Sequence, residues 1–139
     1  MYCKAALKMI RAFAYLCLLA SPVAAEEIVP PSGVRAVLME TIYEPLGVPA
    51  ALAKTVRLRY LAPEVEDQTR FDFTRLEMDF EWLCTHSGLP LTAKIAPKAE
   101  RIVVSIASEA TEFGETAPNV VQYFDAFQIE NATCVWEGL

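Results

Sequence analysis

The sequence predicts an α+β fold: a small antiparallel sheet in the order ββαββ, one amphipathic helix packed on a face, and one disulfide. The strongest strand signal is Thr55–Leu61, where apolar and charged side chains alternate. The strongest helix signal is Phe73–Cys84, where apolar side chains recur at intervals of three and four residues. Several strand patterns around one helix, without a regular βαβ alternation, are typical of this class.

The first 25 residues have the pattern of an export signal. Lys4, Lys8 and Arg11 are followed by an apolar run and then by the small residues before Glu26, which is the order of a secretory signal peptide. We expect cleavage after Ala25, which leaves one domain at residues 26–139 in the periplasm or outside the cell. The apolar run is shorter than the roughly 20 residues of a membrane-spanning helix, so we expect no stable membrane insertion after cleavage.

The charge of the exported chain limits its partners. The full chain has 12 basic and 18 acidic residues and a formal charge of -6. The leader removes three basic residues and no acidic ones, so the formal charge becomes -9. Such a chain repels phosphate backbones, which argues against nucleic acid as a partner. A basic protein, a cation or a neutral ligand is compatible with it.

Two strands come first and are expected to pair as a hairpin. Residues 34–43 and Thr55–Leu61 are rich in β-branched and apolar residues, and a turn with two prolines separates them. Within Thr55–Leu61, Arg57 and Arg59 are expected on the outward side. Residues 101–107 predict another strand, and residues 119–129 and 133–136 predict a final hairpin that turns near Asn131.

The helix has recognisable ends. Asp72 is a suitable N-cap, because its side chain accepts a hydrogen bond from the first turn. Gly88 is expected just past the last turn, since Pro90 cannot continue a helix. The inward face comprises Phe73, Leu76, Phe80, Leu83 and Cys84.

Two cysteines remain after export, because Cys3 and Cys17 lie in the leader. Cys84 and Cys134 are expected to form a structural disulfide, since redox pairs usually lie close in sequence. Closing a loop of roughly 50 residues stabilises a fold by about 4 kcal/mol. A structural zinc site needs four ligands, and one histidine with two cysteines does not supply them. We therefore expect neither a metal nor a cofactor.

Four side chains on the outward helix surface are the candidates for function. Met78 and Trp82 lie one turn apart, opposite the core face, and form either a contact patch for a partner or a surface covered by loops of the same chain. His86 lies on the same stripe as Asp79 and Trp82, and Asp79 with His86 is a weak candidate for general-base chemistry. They lie two turns apart, roughly 10 Å along the axis, and no nucleophile accompanies them, so an exposed histidine at the helix end is the simpler interpretation. We predict no catalytic residue.

Three motifs resemble a known family. They are Arg57–Pro63 (RLRYLAP), Asp79–Cys84 (DFEWLC) with Gly88-Leu89-Pro90, and Cys134–Glu137 (CVWE). Together they resemble small exported proteins of alphaproteobacteria that are grouped as a domain of unknown function. The resemblance implies a bacterial envelope setting and a paired Cys84 and Cys134, and it supplies no catalytic residue.

These observations predict an exported, non-enzymatic module that binds another envelope protein. The contact surface would be the Met78/Trp82 face or an open edge of the sheet. Two alternatives stay open. One is a small hydrolase that uses His86 with Asp79. The other is an inhibitor of a basic secreted enzyme, whose association the negative charge would accelerate.

Overall fold

A computed structural model describes residues 24–138, which form a curled six-stranded sheet with a helix on one face. Neighbouring strands in the sheet are also neighbours in sequence. The strands are β1 (Glu27–Ile28), β2 (Ala36–Glu44), β3 (Thr55–Leu61), β4 (Arg101–Ala107), β5 (Gln122–Glu130) and β6 (Thr133–Trp136). The helix comprises α1 (Phe73–Leu83), a π-turn (Cys84–Gly88) and α2 (Leu89–Ile95). Short 3-10 turns lie at Ala50–Leu52 and Pro63–Glu66.

The α+β class is confirmed, but the predicted antiparallel ββαββ order is wrong in two respects. The sheet has six strands rather than the four that ββαββ names, because β5 and β6 are separate strands after β4 and a two-residue strand, β1, lies at the edge. It is also mixed, because β3 and β4 run parallel in register from Thr55↔Arg101 to Leu61↔Ala107. Parallel neighbours require a crossover connection, and the helix provides it. The alternation within β3 indicates a half-buried strand and contains no information on the direction of its neighbour.

The core lies between the helix and one face of the sheet. Leu76, Phe80 and Leu83 are fully buried, as the helical periodicity predicts. Phe73, which is predicted on the same face, is 41 % exposed and stacks on Phe80 from the first turn of the helix. The three buried residues pack against side chains that alternate along β3, β4 and β5, because successive residues of a strand point to opposite faces. The sheet side of this cluster includes Val56, Leu58, Tyr60, Ile102, Val104, Ile106 and Phe127.

The helix begins where the sequence predicts and ends later. The side chain of Asp72 accepts a hydrogen bond of 2.8 Å from the backbone N–H of Arg75, which confirms the N-cap. The predicted end near Gly88 is wrong, since the helix continues to Ile95. Pro90 would clash with the carbonyl four residues earlier in a regular α-helix, and the wider π-turn accommodates it.

Gly88 has a different role from the one predicted. Its backbone is helical, with φ -69°, so no left-handed conformation requires a glycine there. A Cβ at this position would lie 2.9 Å from Cδ1 and 3.0 Å from Cγ2 of Ile102 in β4. The glycine is therefore needed for the close approach of the helix to the sheet.

The predicted disulfide is present. Cys84 and Cys134 are bonded, with their Cα atoms 6.3 Å apart. Cys84 is the first residue of the π-turn, and Cys134 lies in β6. The bond thus joins the middle of the helical segment, rather than its end, to the last strand.

The predicted signal peptide, residues 1–25, lies outside the described residues except for its last two positions. Its cleavage therefore stays a prediction. Between residues 24 and 138, no helix is long and apolar enough to cross a membrane.

Candidate functional site

Met78 and Trp82 lie together on the outer side of α1. The side chain of Met78 is 70 % exposed, more than any other large apolar side chain of the described residues. Trp82, one turn later, is half-buried and packs against the edge of the core. The two predicted residues therefore differ: Met78 is exposed to solvent, whereas one side of the Trp82 ring packs against the core.

His86 completes this surface. Its ring stacks on the indole of Trp82, with 4.2 Å between ring centroids and 18° between planes. Its Nδ1 lies 2.9 Å from the backbone carbonyl oxygen of Trp82, so Nδ1 is the donor and Nε2 is directed elsewhere. A groove of about 260 Å³ results, which we call the Met78/Trp82 groove. It is lined by Pro31, Met78, Glu81, Trp82, Thr85 and His86.

Asp79 is fully buried, although the sequence places it on the stripe of His86. Its carboxylate accepts a hydrogen bond of 2.9 Å from the backbone N–H of Ser32 and a second, short one from the Ser32 hydroxyl. The guanidinium of Arg75 in turn donates to the Ser32 carbonyl. These hydrogen bonds hold Ser32, in the segment before β2, against helix α1.

The structure does not bring Asp79 and His86 into one hydrogen-bonded pair. Each has its own partner: Ser32 for Asp79 and the Trp82 carbonyl for His86. Ser87, the neighbour of His86, lies against the phenol of Tyr60. Among residues 24–138, no three His, Cys, Asp or Glu side chains are grouped as metal ligands.

Burial has a measurable consequence at Asp79. It raises the pKa of this carboxyl above its ordinary value of 3.8, and the hydrogen bonds from Ser32 oppose the rise only in part. A carboxyl whose pKa is raised by folding stabilises the fold while it is protonated, and that stabilisation is lost as the pH rises through the folded-state pKa. We expect the free energy of unfolding of the wild type, relative to Asp79→Asn, to decrease from pH 3.8 upward until Asp79 is ionised. Urea denaturation across this pH range measures the difference.

Asp67 provides the control of opposite sign. Hydrogen bonds from Thr69 lower the pKa of Asp67 below 3.8. The ionised Asp67 carboxylate should therefore add to the free energy of unfolding of the wild type relative to Asp67→Asn. This difference should disappear as the pH falls through the folded-state pKa of Asp67. Equal pH dependence in both variants would contradict the assignment of Asp79 as a destabilised buried anion.

The opposite face of the sheet contains a cluster that the sequence interpretation missed. Arg59 was expected in solvent, but it is buried, and its guanidinium pairs with Glu40. It also donates to the carbonyl and hydroxyl oxygens of Thr111, at 2.8 and 3.0 Å. The ring of Phe113 lies over the guanidinium groups of Arg57 and Arg59, at 5.3 and 5.8 Å. Once β2 and β3 are paired, the register places Glu40 opposite Arg59 and indicates an ion pair. The contacts of Arg59 with Thr111 and Phe113 have no signal in the local sequence.

One comparison supports the part of the resemblance that concerns a family of unknown function. No curated protein and no solved structure matches the chain. The family of unknown function DUF6497 matches residues 13–139, which includes every strand and helix described above. The chain belongs to this family of unknown function.

Proposed function

We propose that the protein is an exported, non-enzymatic module that binds another protein of the cell envelope through the Met78/Trp82 groove. The observation that supports this most is the 70 % exposure of Met78 beside a stacked tryptophan and histidine. Exposed methionine and tryptophan side chains are enriched in protein interfaces, where they supply large apolar contact areas.

The groove is already formed in the free chain. The core holds one side of Trp82, and His86 stacks on its ring. Pro31 lies at the other border of the groove, next to Ser32, whose backbone and hydroxyl are bound by Asp79. Side chains fixed in this way lose little conformational entropy when a partner binds, which favours a recognition surface.

The negative charge near the groove favours a partner with a basic surface. Glu81 lines it, and Glu77 lies one turn earlier on the same exposed helix surface. Neither carboxylate forms an ion pair with a basic side chain of residues 24–138. With a formal charge of -9 after export, the chain attracts a partner that presents basic residues around an apolar centre.

Photo-crosslinking in the native host tests this proposal. A benzophenone amino acid replaces Thr85, an exposed residue at the border of the groove. We expect one discrete cross-linked product in the periplasmic fraction, and we expect Met78→Lys to remove it. Leu46→Lys is the matched control, because Leu46 is 67 % exposed and lies in the β2–β3 connection. It should leave the product unchanged.

Two results would contradict the proposal. A product that persists in Met78→Lys, or no product at all, would exclude the Met78/Trp82 groove as the contact surface. Intact mass spectrometry of the same material tests the export step, for which we expect a chain that begins at Glu26. A chain that retains Met1 in the cytoplasmic fraction would exclude an envelope function.

A further inference from the structure

The outer edge of β2 is largely unpaired. β1 contacts it only through Glu27↔Val37 and Ile28↔Ala36. From Leu38 to Glu44, β2 pairs with β3 on one side, and no strand of the described chain pairs with it on the other. In an edge strand, alternate N–H and C=O groups point away from the sheet. This stretch therefore offers a row of backbone donors and acceptors.

The usual devices that protect a sheet edge are weak in this stretch. Charged side chains, lysine above all, and proline normally discourage pairing with another chain. Residues 38–44 contain no proline and no lysine, and their two acidic side chains are occupied: Glu40 by Arg59 and Glu44 by Arg57. A β-bulge between Leu38 and Glu40 is the one irregularity.

An apolar pocket adjoins this edge on the helix side of the sheet. It has a volume of about 490 Å³ in the uncleaved chain and is lined by residues 25–28, Leu38, Tyr60 and Ser87. Cleavage after Ala25 would remove the first of these and leave Glu26 to Ile28, Leu38, Tyr60 and Ser87 as the lining. Leu38 is opposite Tyr60 in the β2–β3 ladder, so both side chains point to the helix side. Burial raises the pKa of the Tyr60 phenol, which therefore stays neutral and compatible with an apolar occupant.

The border of the pocket is acidic. Glu26 and Glu27 line it, and neither forms an ion pair with a basic side chain of residues 24–138. The pocket thus combines an apolar interior with two carboxylates at one side. A segment that places an apolar side chain inside and a basic side chain at the border complements both.

We propose that the edge of β2 binds an extended basic segment of a partner protein as an additional β-strand. Backbone hydrogen bonds along Leu38–Glu44 hold this strand, as in other cases of strand addition. One apolar side chain of the strand enters the pocket of Leu38 and Tyr60, while basic side chains face Glu26 and Glu27. This surface is separate from the Met78/Trp82 groove and does not depend on it.

A labelled synthetic peptide that alternates valine and lysine tests the proposal by fluorescence anisotropy on the exported protein. We expect Leu38→Lys to weaken binding at least about tenfold, because it places a like charge where the apolar side chain enters. Leu38 is 42 % exposed, so this change does not remove a core side chain. Val135→Lys is the matched control, because Val135 is 39 % exposed and lies on the other edge strand, β6. It should keep the wild-type affinity.

Two further peptides separate strand addition from attraction by charge. A peptide with N-methyl groups on alternate amides keeps every charge but cannot complete the hydrogen-bonded ladder, and we expect it not to bind. A peptide with glutamate in place of lysine should not bind either. Three results would overturn the proposal. The wild type could bind the N-methylated peptide as tightly as the unmodified one, Leu38→Lys could bind the unmodified peptide as tightly as the wild type does, or the wild type could fail to bind the unmodified peptide.

A second copy of the chain is the other occupant that the edge could take. A wild-type dimer that becomes a monomer in Leu38→Lys would identify the edge as a self-interface and overturn the proposal. Met78→Lys should leave peptide affinity unchanged, so the outcome at this edge is independent of the outcome at the Met78/Trp82 groove.

Discussion

Replacing both Cys84 and Cys134 by serine should lower the free energy of unfolding by about 4 kcal/mol, the value for a cross-link that closes a loop of this length. For a domain of this size, this corresponds to a decrease of roughly 15 °C in Tm. The physical reason is that the bond restricts the unfolded chain over residues 84–134, whereas the folded chain already holds both positions. Urea and thermal denaturation of the double variant measure the effect.

Reduction of the wild type provides an independent control. Dithiothreitol should lower the urea midpoint of the wild type to that of the double variant, and it should leave the double variant unchanged. An unchanged midpoint in the double variant would mean that the packing of the π-turn against β6, rather than the covalent bond, determines the stability of this region.

Gly88→Val should lower the free energy of unfolding by about 3 kcal/mol. The new side chain would overlap Ile102, whose Cδ1 and Cγ2 atoms already lie at 2.9 and 3.0 Å from the position of a Cβ. The overlap forces either a different rotamer of the buried Ile102 side chain or a displacement of the helix from β4. Ala93→Val, on the exposed surface of α2, is the matched control and should cost no more than about 0.7 kcal/mol, the difference in helix propensity.

A double-mutant cycle tests the cause of the Gly88 effect. Ile102→Ala by itself should cost about 3 kcal/mol, because it leaves a cavity in the core. In combination with Gly88→Val, the valine occupies part of that cavity, so the double variant should lose at least about 1 kcal/mol less than the two single changes together. Strict additivity would contradict a direct steric conflict between these two side chains.

The sequence predicts those features of the fold that depend on neighbours in the chain. The N-cap at Asp72 involves residues three positions apart, and the burial of Leu76, Phe80 and Leu83 follows from helical spacing. The strands Thr55–Leu61 and Arg101–Ala107 have the predicted bounds. In each case the pattern and the structure depend on the same short stretch of chain.

The features that local patterns do not predict depend on distant contacts. Gly88 and Pro90 normally end a helix, but here the helix continues to Ile95. The absence of a side chain at Gly88 leaves room for Ile102, and the π-turn accommodates Pro90. The alternation in β3 predicts that Arg59 faces solvent. In the structure it is buried, because Thr111, in a loop more than 50 residues later, accepts a hydrogen bond from its guanidinium. No rule on spacing within β3 anticipates that loop.

The candidate site divides in the same way. The positions of Met78 and Trp82 on one outer surface follow from the helical repeat, and the structure brings them together. The burial of Asp79 is consistent with the repeat, because Asp79 lies three residues after Leu76 and four before Leu83. Its partner does not follow from the repeat, because the chain that covers this carboxylate comes from Ser32, 47 residues earlier. The stack of His86 on Trp82 is compatible with the spacing of four residues, and His86 lies within the π-turn.

The position of the disulfide in chain order affects how an exported chain matures. A polypeptide that crosses a membrane amino-terminus first delivers Cys84 while β4, β5 and β6 are still to come. Its partner thiol arrives only with β6, the final strand of the sheet. If the chain is exported as proposed, the Cys84–Cys134 bond can form only after Cys134, in the last strand, has crossed the membrane.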